Sequence, residues 1–505
     1  MNGNEMAADD MTRVCIVGTA RHTWRDESQF APEPLSMWEF VSRLAIDDAG
    51  TTADVAAQLD HLAVVHTQSW DYDNPVARLG ERLGRDDLPG VSSLIAGTSP
   101  QRLIDQAAAS MMRGEISAAL IVGAEAQSTV RRMERSGEGP NWSYPNPKAV
   151  SIEASLGEWY LPTELRHGVL PAWLTFALLS QARWAARGAK PADRQAMFQL
   201  LSSLSNVAAQ NSDSWYPLAH SAERLAHADA GNRPIATPFN KLTTAFPFVD
   251  MAAANLLVTD AVADRWKIPE DRRIYLRGWG FARDASHIAG RESLSSSPAM
   301  RNAFSSALTM AGLQQEEITA FDLYSCFGSA VQFARDALEL ADNDPRPISL
   351  TGGLPYHGGP GSNYMNHSIS TLVDFLRENP NANGMVTGIG MHMTKHVAGV
   401  WSAAPGKNPL PTSDEPQLAV LDDDAPGHTV QDTVTGSVTI ESASVIYGRE
   451  GEPVSVIAIC SLPDGSRCYA TTDAPDAMSA VVNDEWVGAA ASVAPTDAGT
   501  NWLSL

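Results

Sequence analysis

With 505 residues, this chain is too long for one ordinary domain and long enough to bury large hydrophobic cores. Its composition, 44 % hydrophobic and 19 % charged, is that of a globular protein and excludes a disordered or fibrous one. The net charge of −23 disfavours nucleic acids and anionic membranes as partners, although a local basic cluster would suffice for a phosphorylated ligand.

The N-terminus and the cysteines predict a cytoplasmic protein. Acidic residues precede the first apolar run and no basic segment leads it, so we expect no signal peptide. No apolar stretch is long enough to cross a membrane. The four cysteines are widely spaced and form no Cys-x-x-Cys pair, which disfavours a disulfide framework or a zinc site.

The first 130 residues alternate buried strands with helices, which predicts a mostly parallel sheet covered by helices on both faces. Thr98 or Ser99 is expected to cap the alanine-rich helix that ends at Gly114. The strands are predicted at 13–23, 59–70 and 118–127, and the helices at 39–50 and 98–114.

Residues 131–245 are rich in loops with a few helices and are interpreted as an insertion. The α/β pattern resumes at 246–283, and a second alternating block extends to 404. Because the two blocks have a similar order of elements, we expect a duplicated unit. Residues 405–432 are predicted to be a linker, and 433–505 a small β barrel or sandwich, since alternating strands and tight turns dominate there.

Four segments within residues 12–404 and a fifth after residue 432 resemble, in order, the thiolase superfamily. They are "SSLIAGTSPQRLIDQAAASMMRGEISAALIVGAEAQS", "FPFVDMAAANLLVTD", "AMRNAFSSALTMAGLQQEEITAFDLYSCFGSA", "TGGLPYHGGPGSNY" and, after residue 432, a β-rich tail similar to the extra C-terminal domain of thiolase-like proteins of type 1.

The resemblance implies an α/β thiolase fold, with two similar βαβαβαββ halves in five αβαβα layers, an inserted loop domain and a small C-terminal all-β barrel. The first half would comprise 1–130 and 246–283, the loop domain 131–245, the second half 284–404, and the linker and barrel 405–432 and 433–505.

Thiolases carry an acyl group on a cysteine at a helix N-terminus, activate it with a histidine, and use a second cysteine as acid and base. Here the nucleophile's position is Gly97, and the Gly-His-Pro histidine falls on Gly359, with His357 the nearest substitute. The position of the second cysteine falls near Val386 and Thr387, and neither residue is a cysteine. The resemblance therefore implies that the usual turnover through an acyl-cysteine is absent.

Candidate catalytic residues remain in the loops that form the family's active site: Tyr324, His357 and His392. A tyrosine at 324 matches thiolase-like retro-aldolases and could move a proton without a covalent intermediate, or it could simply pack in the core. It is predicted to share a strand face with Cys326. If His392 and His396 lay on a helix, their spacing would suit a metal pair, but surface or hydrogen-bonded histidines are favoured.

The expected ligand is coenzyme A or an acyl-CoA, bound as substrate and not as a permanent cofactor. The resemblance places the CoA nucleotide on the loop domain. Arg131, Arg132, Arg135 and Lys148 could then contact phosphates, although the arginines could equally form a solvated helix face. Trp142 or Trp215 could stack on adenine, and Gly358, Gly359 and Asn363 could line the site.

Three functions stay open at this point. The first is an enzyme of lipid metabolism acting on acyl-CoA thioesters, either an acyltransferase or a retro-aldolase-like lyase. The second is a non-catalytic CoA or acyl-CoA binder. The third is a subunit completed by another protein, docked on the C-terminal β domain, or by a second copy in a homodimer.

Overall fold

The structure is a computed structural model that describes residues 11–26, 28–149, 152–188, 190–413, 427–483 and 486–504. Residues 1–10, on which the absence of a signal peptide is predicted, lie outside the described residues. So do residues 414–426 of the predicted linker. None of the described helices is both long and apolar enough to cross a bilayer.

The described strands, numbered in chain order, are β1 (Val14–Thr23), β2 (His61–Val64), β3 (Gly90–Ser92), β4 (Ala118–Ala126), β5 (Pro234–Ala236), β6 (Phe239–Asn240), β7 (Asp250–Thr259), β8 (Ile274–Arg283), β9 (Ala320–Asp322), β10 (Asn383–Gly390), β11 (Lys395–Ser402), β12 (Val430–Gln431), β13 (Gly436–Tyr447), β14 (Pro453–Ser461), β15 (Arg467–Thr472), β16 (Ala490–Pro495) and β17 (Asn501–Ser504).

The described helices are α1 (Pro34–Asp48), α2 (Val55–Gln58), α3 (Pro75–Arg82), α4 (Ser99–Met112), α5 (Gln127–Arg135), α6 (Ile152–Trp159), α7 (Pro162–Arg166), α8 (Ala172–Arg187), α9 (Lys190–Gln210), α10 (Ala222–Ala226), α11 (Asp260–Arg265), α12 (Pro298–Ala311), α13 (Gly328–Ala337), α14 (Tyr364–Glu378) and α15 (Pro475–Val482).

Two half-sheets with matching topology form the body of the molecule. The first half has the order β3-β2-β4-β7-β1, and the second has β8-β11-β10-β9, with β1 and β8 joined side by side through two residue pairs. In the first half, β1 runs antiparallel to β7, β7 antiparallel to β4, and β4 parallel to β2. In the second half, β8 runs antiparallel to β11, β11 antiparallel to β10, and β10 parallel to β9. The duplicated unit expected from the order of elements is therefore present.

A short repeat that the sequence pattern did not reveal marks the duplication. Gly18 in β1 and Gly280 in β8 each open a Gly-x-Ala-Arg sequence. A Cβ at Gly18 would overlap the Ala45 carbonyl of α1, and one at Gly280 would overlap the Ala303 carbonyl of α12. Glycine is needed at both positions because a helix lies directly on the strand.

Helices α4 and α14 lie between the half-sheets, since α14 contacts β7 and β10 while α4 contacts β4 and β11. Helix α1 covers the outer face of the first half and α12 that of the second. These contacts give the five αβαβα layers implied by the resemblance. Two apolar clusters fill the spaces between layers, and Trp38, Trp279 and Trp401 are fully buried within them.

The C-terminal segment closes into a five-stranded barrel in the order β13-β14-β15-β17-β16, with β16 pairing back to β13. The predicted barrel is confirmed, but the sequence pattern missed α15, which connects β15 to β16. Two short strands from outside the barrel also pair with its strands. Strand β5 of the insertion pairs with β13, and β12, inside the predicted linker, pairs with β15.

Candidate functional site

Tyr324 lies at the centre of the molecule, just beyond the end of β9. The predicted strand through residue 327 is wrong at its end, because β9 stops at Asp322 and α13 begins at Gly328. Tyr324 and Cys326 therefore do not share a strand face. The backbone N–H of Tyr324 donates to Thr387 Oγ1 at 2.9 Å, and its ring meets the ring of Tyr364 edge to face, with centroids 5.4 Å apart.

A buried carboxylate fixes this turn. Asp322 accepts hydrogen bonds from the Leu350 and Thr351 backbone N–H groups at 2.8 and 2.9 Å, and from Ser368 Oγ at 2.7 Å. The loop after β9, the loop at 349–351 and helix α14 are thereby held together. A satisfied, buried carboxylate of this kind positions the backbone from which Tyr324 projects.

Gly97 faces the hydroxyl of Tyr324. A Cβ at Gly97 would lie inside contact distance of that hydroxyl and of the Ile389 carbonyl, and 2.8 Å from Tyr324 Cζ. The tyrosine thus occupies the space into which a side chain at position 97 would project. Two residues later α4 begins, so the hydroxyl lies beside the N-terminal end of a 14-residue helix, where negative charge is stabilised.

The predicted side-chain cap of α4 is not formed. Thr98 is the N-cap residue, but its side chain makes no capping hydrogen bond. Ser99 Oγ donates instead to the Leu94 carbonyl at 2.9 Å, which ties down the loop before the helix. Pro100 removes one N–H from the first turn, which lowers the need for a side-chain cap.

Burial decides the protonation of the groups around Tyr324. Burial, and to a lesser extent the nearby Cys326, raise the pKa of Tyr324 well above its usual value, so the phenol keeps its proton at neutral pH. Burial also raises the pKa of Cys326, so its thiol is protonated. Tyr324 can therefore donate a hydrogen bond or a proton, whereas Cys326 is a weak nucleophile.

The ring of His357, like that of Tyr324, lies against the ring of Tyr364 and is fully buried. Its ring centroid is 6.1 Å from that of Tyr364, and its Nε2 lies 3.4 Å from His367 Nδ1. Burial and the charge of Arg21 lower the pKa of His357 to about 3, so the imidazole is neutral. The Nε2 atom of His367 is buried and has no hydrogen-bond partner.

His392 lies in the turn between β10 and β11, and His396 lies on β11, so the helical metal pair is excluded by the backbone. His392 Nε2 is 2.6 Å from the Tyr160 hydroxyl and its Nδ1 is 2.9 Å from Thr175 Oγ1. His396 Nε2 is 3.0 Å from Asp284. Both are thus hydrogen-bonded and buried. Within the described residues no group of three or more candidate ligands could hold a metal.

A pocket of about 520 Å³ opens beside the Gly97 loop, a volume typical of ligand sites. Its wall combines the loop before α4, helices α6 to α8 of the insertion, the segment after β8 and the β10–β11 turn. Burial and the charge of Arg291 lower the pKa of His392 in this wall to about 4. The lining residues are His66, Leu94, Ile95, Ser155, Glu158, Trp159, Tyr160, Glu164, Val169, Thr175, Arg283, Ser286, His287, Ile288, Met391, His392, Thr394 and Lys395.

The comparisons with known proteins agree with this architecture. Residues 417–498 match the family described as the thiolase-like protein type 1 additional C-terminal domain. A monomeric SCP2-thiolase-like protein type 1 from Mycobacterium smegmatis is 29 % identical and superposes with a TM-score of 0.83, covering 98 % of this chain and 99 % of that one. The resemblance to thiolase-like proteins of type 1 is thus confirmed.

More distant structures share the fold alone. The "Ltp2-ChsH2(DUF35) aldolase" is 16 % identical with a TM-score of 0.60, over 77 % of this chain and 97 % of that one. Human mitochondrial 3-ketoacyl-CoA thiolase is 15 % identical with a TM-score of 0.56, over 77 % and 98 %. No curated protein matches the sequence.

The structure of this thiolase-like protein separates its predicted catalytic residues. Tyr324 faces Gly97, His357 contacts Tyr364, and His392 lines the pocket, whose lining includes neither of the other two. Gly358 and Gly359 belong to a buried loop, in which a Cβ at Gly358 would come within 2.9 Å of the Met251 sulfur. Asn363 Nδ2 donates to the Gly123 carbonyl at 2.7 Å. Their part in ligand binding stays a prediction.

The residues predicted to contact the phosphates and adenine lie outside the pocket lining. Arg131 stacks over Phe248 at 4.0 Å from the ring centroid, and Arg132 donates to the Gln29 carbonyl at 2.7 Å. Trp142 packs against Trp70, and Trp215 is buried against Val249. Arg135 and Lys148 are exposed. The residues in this set are absent from the pocket lining, and their role in binding CoA remains a prediction.

Sequence reasoning missed the polar residues that shape the pocket, namely Tyr160, Glu164, His287 and Lys395. Glu164 Oε2 lies 2.8 Å from His287 Nδ1, and its Oε1 accepts from the Tyr469 hydroxyl of the barrel at 2.9 Å. Lys395 lies in the same segment, "MHMTKH", as the candidate residues His392 and His396, so its place in the sequence could have suggested it. The others come from two distant segments, 160–164 and the region of His287, which no local pattern connects.

Proposed function

We propose that this thiolase-like protein binds an acyl-CoA thioester in the 520 Å³ pocket and acts on it without an acyl-cysteine intermediate. The observation that carries the proposal is the contact of Tyr324 with Gly97. A phenol that keeps its proton at neutral pH projects into the position at the N-terminus of α4 where the thiolases it resembles hold their nucleophile.

The chemistry follows from the donors at that point. The Tyr324 hydroxyl can donate a hydrogen bond to a thioester or β-oxygen, and the N-terminal end of α4 adds a favourable dipole for developing negative charge. When the carbon–carbon bond of a β-hydroxyacyl thioester breaks, the phenol can give its proton to the enolate and take up the proton that leaves the β-hydroxyl; bond formation reverses both transfers. The reaction class is thus carbon–carbon bond cleavage or formation.

The neutral histidines contribute differently. His392 is held between Tyr160 and Thr175, with both ring nitrogens within hydrogen-bond distance, so in this proposal it shapes the pocket wall. His357 lies 3.4 Å from His367 and contacts Tyr364, and in this proposal it supports the Tyr364 side of the site.

A second candidate is a CoA-ester binder without turnover. The observation in its favour is that the Tyr324 hydroxyl and the Ile389 carbonyl both fill the space at Gly97, and Tyr324 is only 6 % exposed. A docking partner on the C-terminal barrel, or a second copy of the chain, would be compatible with either candidate. The cytoplasm remains the proposed compartment, since none of the four cysteines forms a disulfide.

The test is a panel of acyl-CoA, β-hydroxyacyl-CoA and β-ketoacyl-CoA esters, with product analysis and thermal stabilisation measured together. We expect turnover of at least one ester that falls by about 10²-fold or more in Tyr324→Phe while the ester still binds. Binding without turnover in the wild type would select the second candidate. Neither turnover nor stabilisation by any ester would overturn both.

A further inference from the structure

Lys395 brings a cation to the end of the pocket that adjoins Tyr324. It opens β11 and pairs in register with Gly390 of β10. A Cβ at Gly390 would lie 3.2 Å from Lys395 Cβ and 3.4 Å from both Lys395 Cδ and Ala96 Cβ. The aliphatic stem of Lys395 therefore lies close to Ala96, the residue before Gly97, whose own neighbour is the Tyr324 hydroxyl.

The charge of Lys395 is poorly compensated. Its other neighbour in the sheet is Arg283 of β8, a residue-pair partner in an antiparallel ladder, where like charges are unfavourable. Burial and the charge of Arg283 both lower the pKa of Lys395. The nearby Glu164 is already engaged by His287 and Tyr469.

A partly buried ammonium group opposite another cation favours an anionic ligand, because the anion relieves the repulsion and compensates the lost solvation. The pocket wall also includes the apolar side chains of Leu94, Ile95 and Met391, which could contact an acyl chain. The geometry therefore suits a short chain that ends in a negative charge.

We propose that Lys395 binds a carboxylate carried by the acyl chain of the thioester, so that the substrate class is CoA esters of short dicarboxylic acids. This inference rests on the proposed function, because it takes the thioester carbonyl to lie at the Tyr324 hydroxyl. The pantetheine arm separates that carbonyl from the CoA phosphates, whereas Lys395 lies next to the Gly97 loop. An anion bound by Lys395 would therefore be part of the acyl group and not one of the CoA phosphates.

The test compares two esters that differ only at the end of the chain, succinyl-CoA and butanoyl-CoA, by calorimetry on the full-length protein. We expect succinyl-CoA to bind about tenfold more tightly or better. Lys395→Met removes the ammonium group and keeps the stem, and should abolish this preference. Lys407→Met, at an exposed position outside the pocket lining, should preserve it.

The outcomes are separable. Equal binding of the two esters to the wild type overturns this inference and leaves the proposed function intact, whether or not Lys395→Met folds. An equal loss of affinity for both esters and for free CoA in Lys395→Met would show that the lysine contacts a phosphate, which also overturns it. Absence of binding by any CoA ester would remove the proposed function and this inference together.

Discussion

The Tyr324 hydroxyl and the Gly97 backbone occupy adjoining space so closely that position 97 has no room for a side chain. A Cβ there would also overlap the Ile389 carbonyl at the end of β10. The loop before α4, the turn after β9 and the end of β10 thus meet at one point. Four consequences of the structure can be measured.

Gly97→Ala should destabilise the fold by about 1–3 kcal/mol, because the added methyl group overlaps backbone that cannot easily move. Urea unfolding of the full-length protein measures the change. Gly139→Ala is the matched control, since its Cβ would meet nothing within 4 Å and its backbone needs no positive φ. Equal stability of the two variants would contradict the close contact at Gly97.

Cys326→Ala should leave the turnover of any ester found active within about twofold of the wild type. Burial keeps the Cys326 thiol protonated, so it neither carries an acyl group nor moves protons. Steady-state rates, measured beside Tyr324→Phe, provide the check. A loss in Cys326→Ala as large as that in Tyr324→Phe would reverse the assignment of roles at this site.

Glu125 should make stability depend on pH. It is fully buried on β4, and burial raises its pKa to about 7 despite hydrogen bonds from Ser69, Gln68 and Thr67. The pKa of Glu125 is higher in the folded protein than in the unfolded chain, so the folded protein keeps this proton up to a higher pH. Its contribution to stability is complete below about pH 4.5 and decreases as pH rises to about 7, by about 1.4 kcal/mol per unit.

Glu125→Gln removes this titration. The free energy of unfolding of the wild type, relative to that of the variant, should therefore fall between about pH 5 and 7 and level off above. Chemical denaturation at a series of pH values gives both curves. A difference that is constant over this range would show that Glu125 titrates normally.

Tyr469→Phe should loosen the junction between the barrel and the insertion. Its buried hydroxyl donates to Glu164 Oε1, so the variant leaves a buried carboxylate oxygen without that donor, at a cost of about 1–3 kcal/mol. Denaturation, together with the rate of proteolysis between the barrel and the core, measures the effect. Tyr144→Phe, at a 40 % exposed position, is the control and should change neither.

The strands, helices and order of the layers were largely readable from the sequence. Buried strands such as 118–126 are continuous apolar runs, and α12 has both its signals, a Ser297 cap and Gly312 in the left-handed conformation at its C-terminus. Errors occurred where tertiary contacts override local pattern. The segment after Asp322 is apolar enough for a strand, but the bonds of the Asp322 carboxylate to 350–351 turn it toward α13.

The sequence by itself predicted the alternating strands and helices and the C-terminal barrel, because burial periodicity and turn residues are local properties. The thiolase-like arrangement, and the glycine in the nucleophile's position, were implied by its resemblance to thiolases. Only the tertiary structure decided that Tyr324 fills the space at Gly97, that His357 and His392 lie apart from it, and that Lys395 joins the pocket. Contacts between segments hundreds of residues apart set those positions. Hydrogen bonding and burial, which set the proton on each group, exist only after the chain has folded.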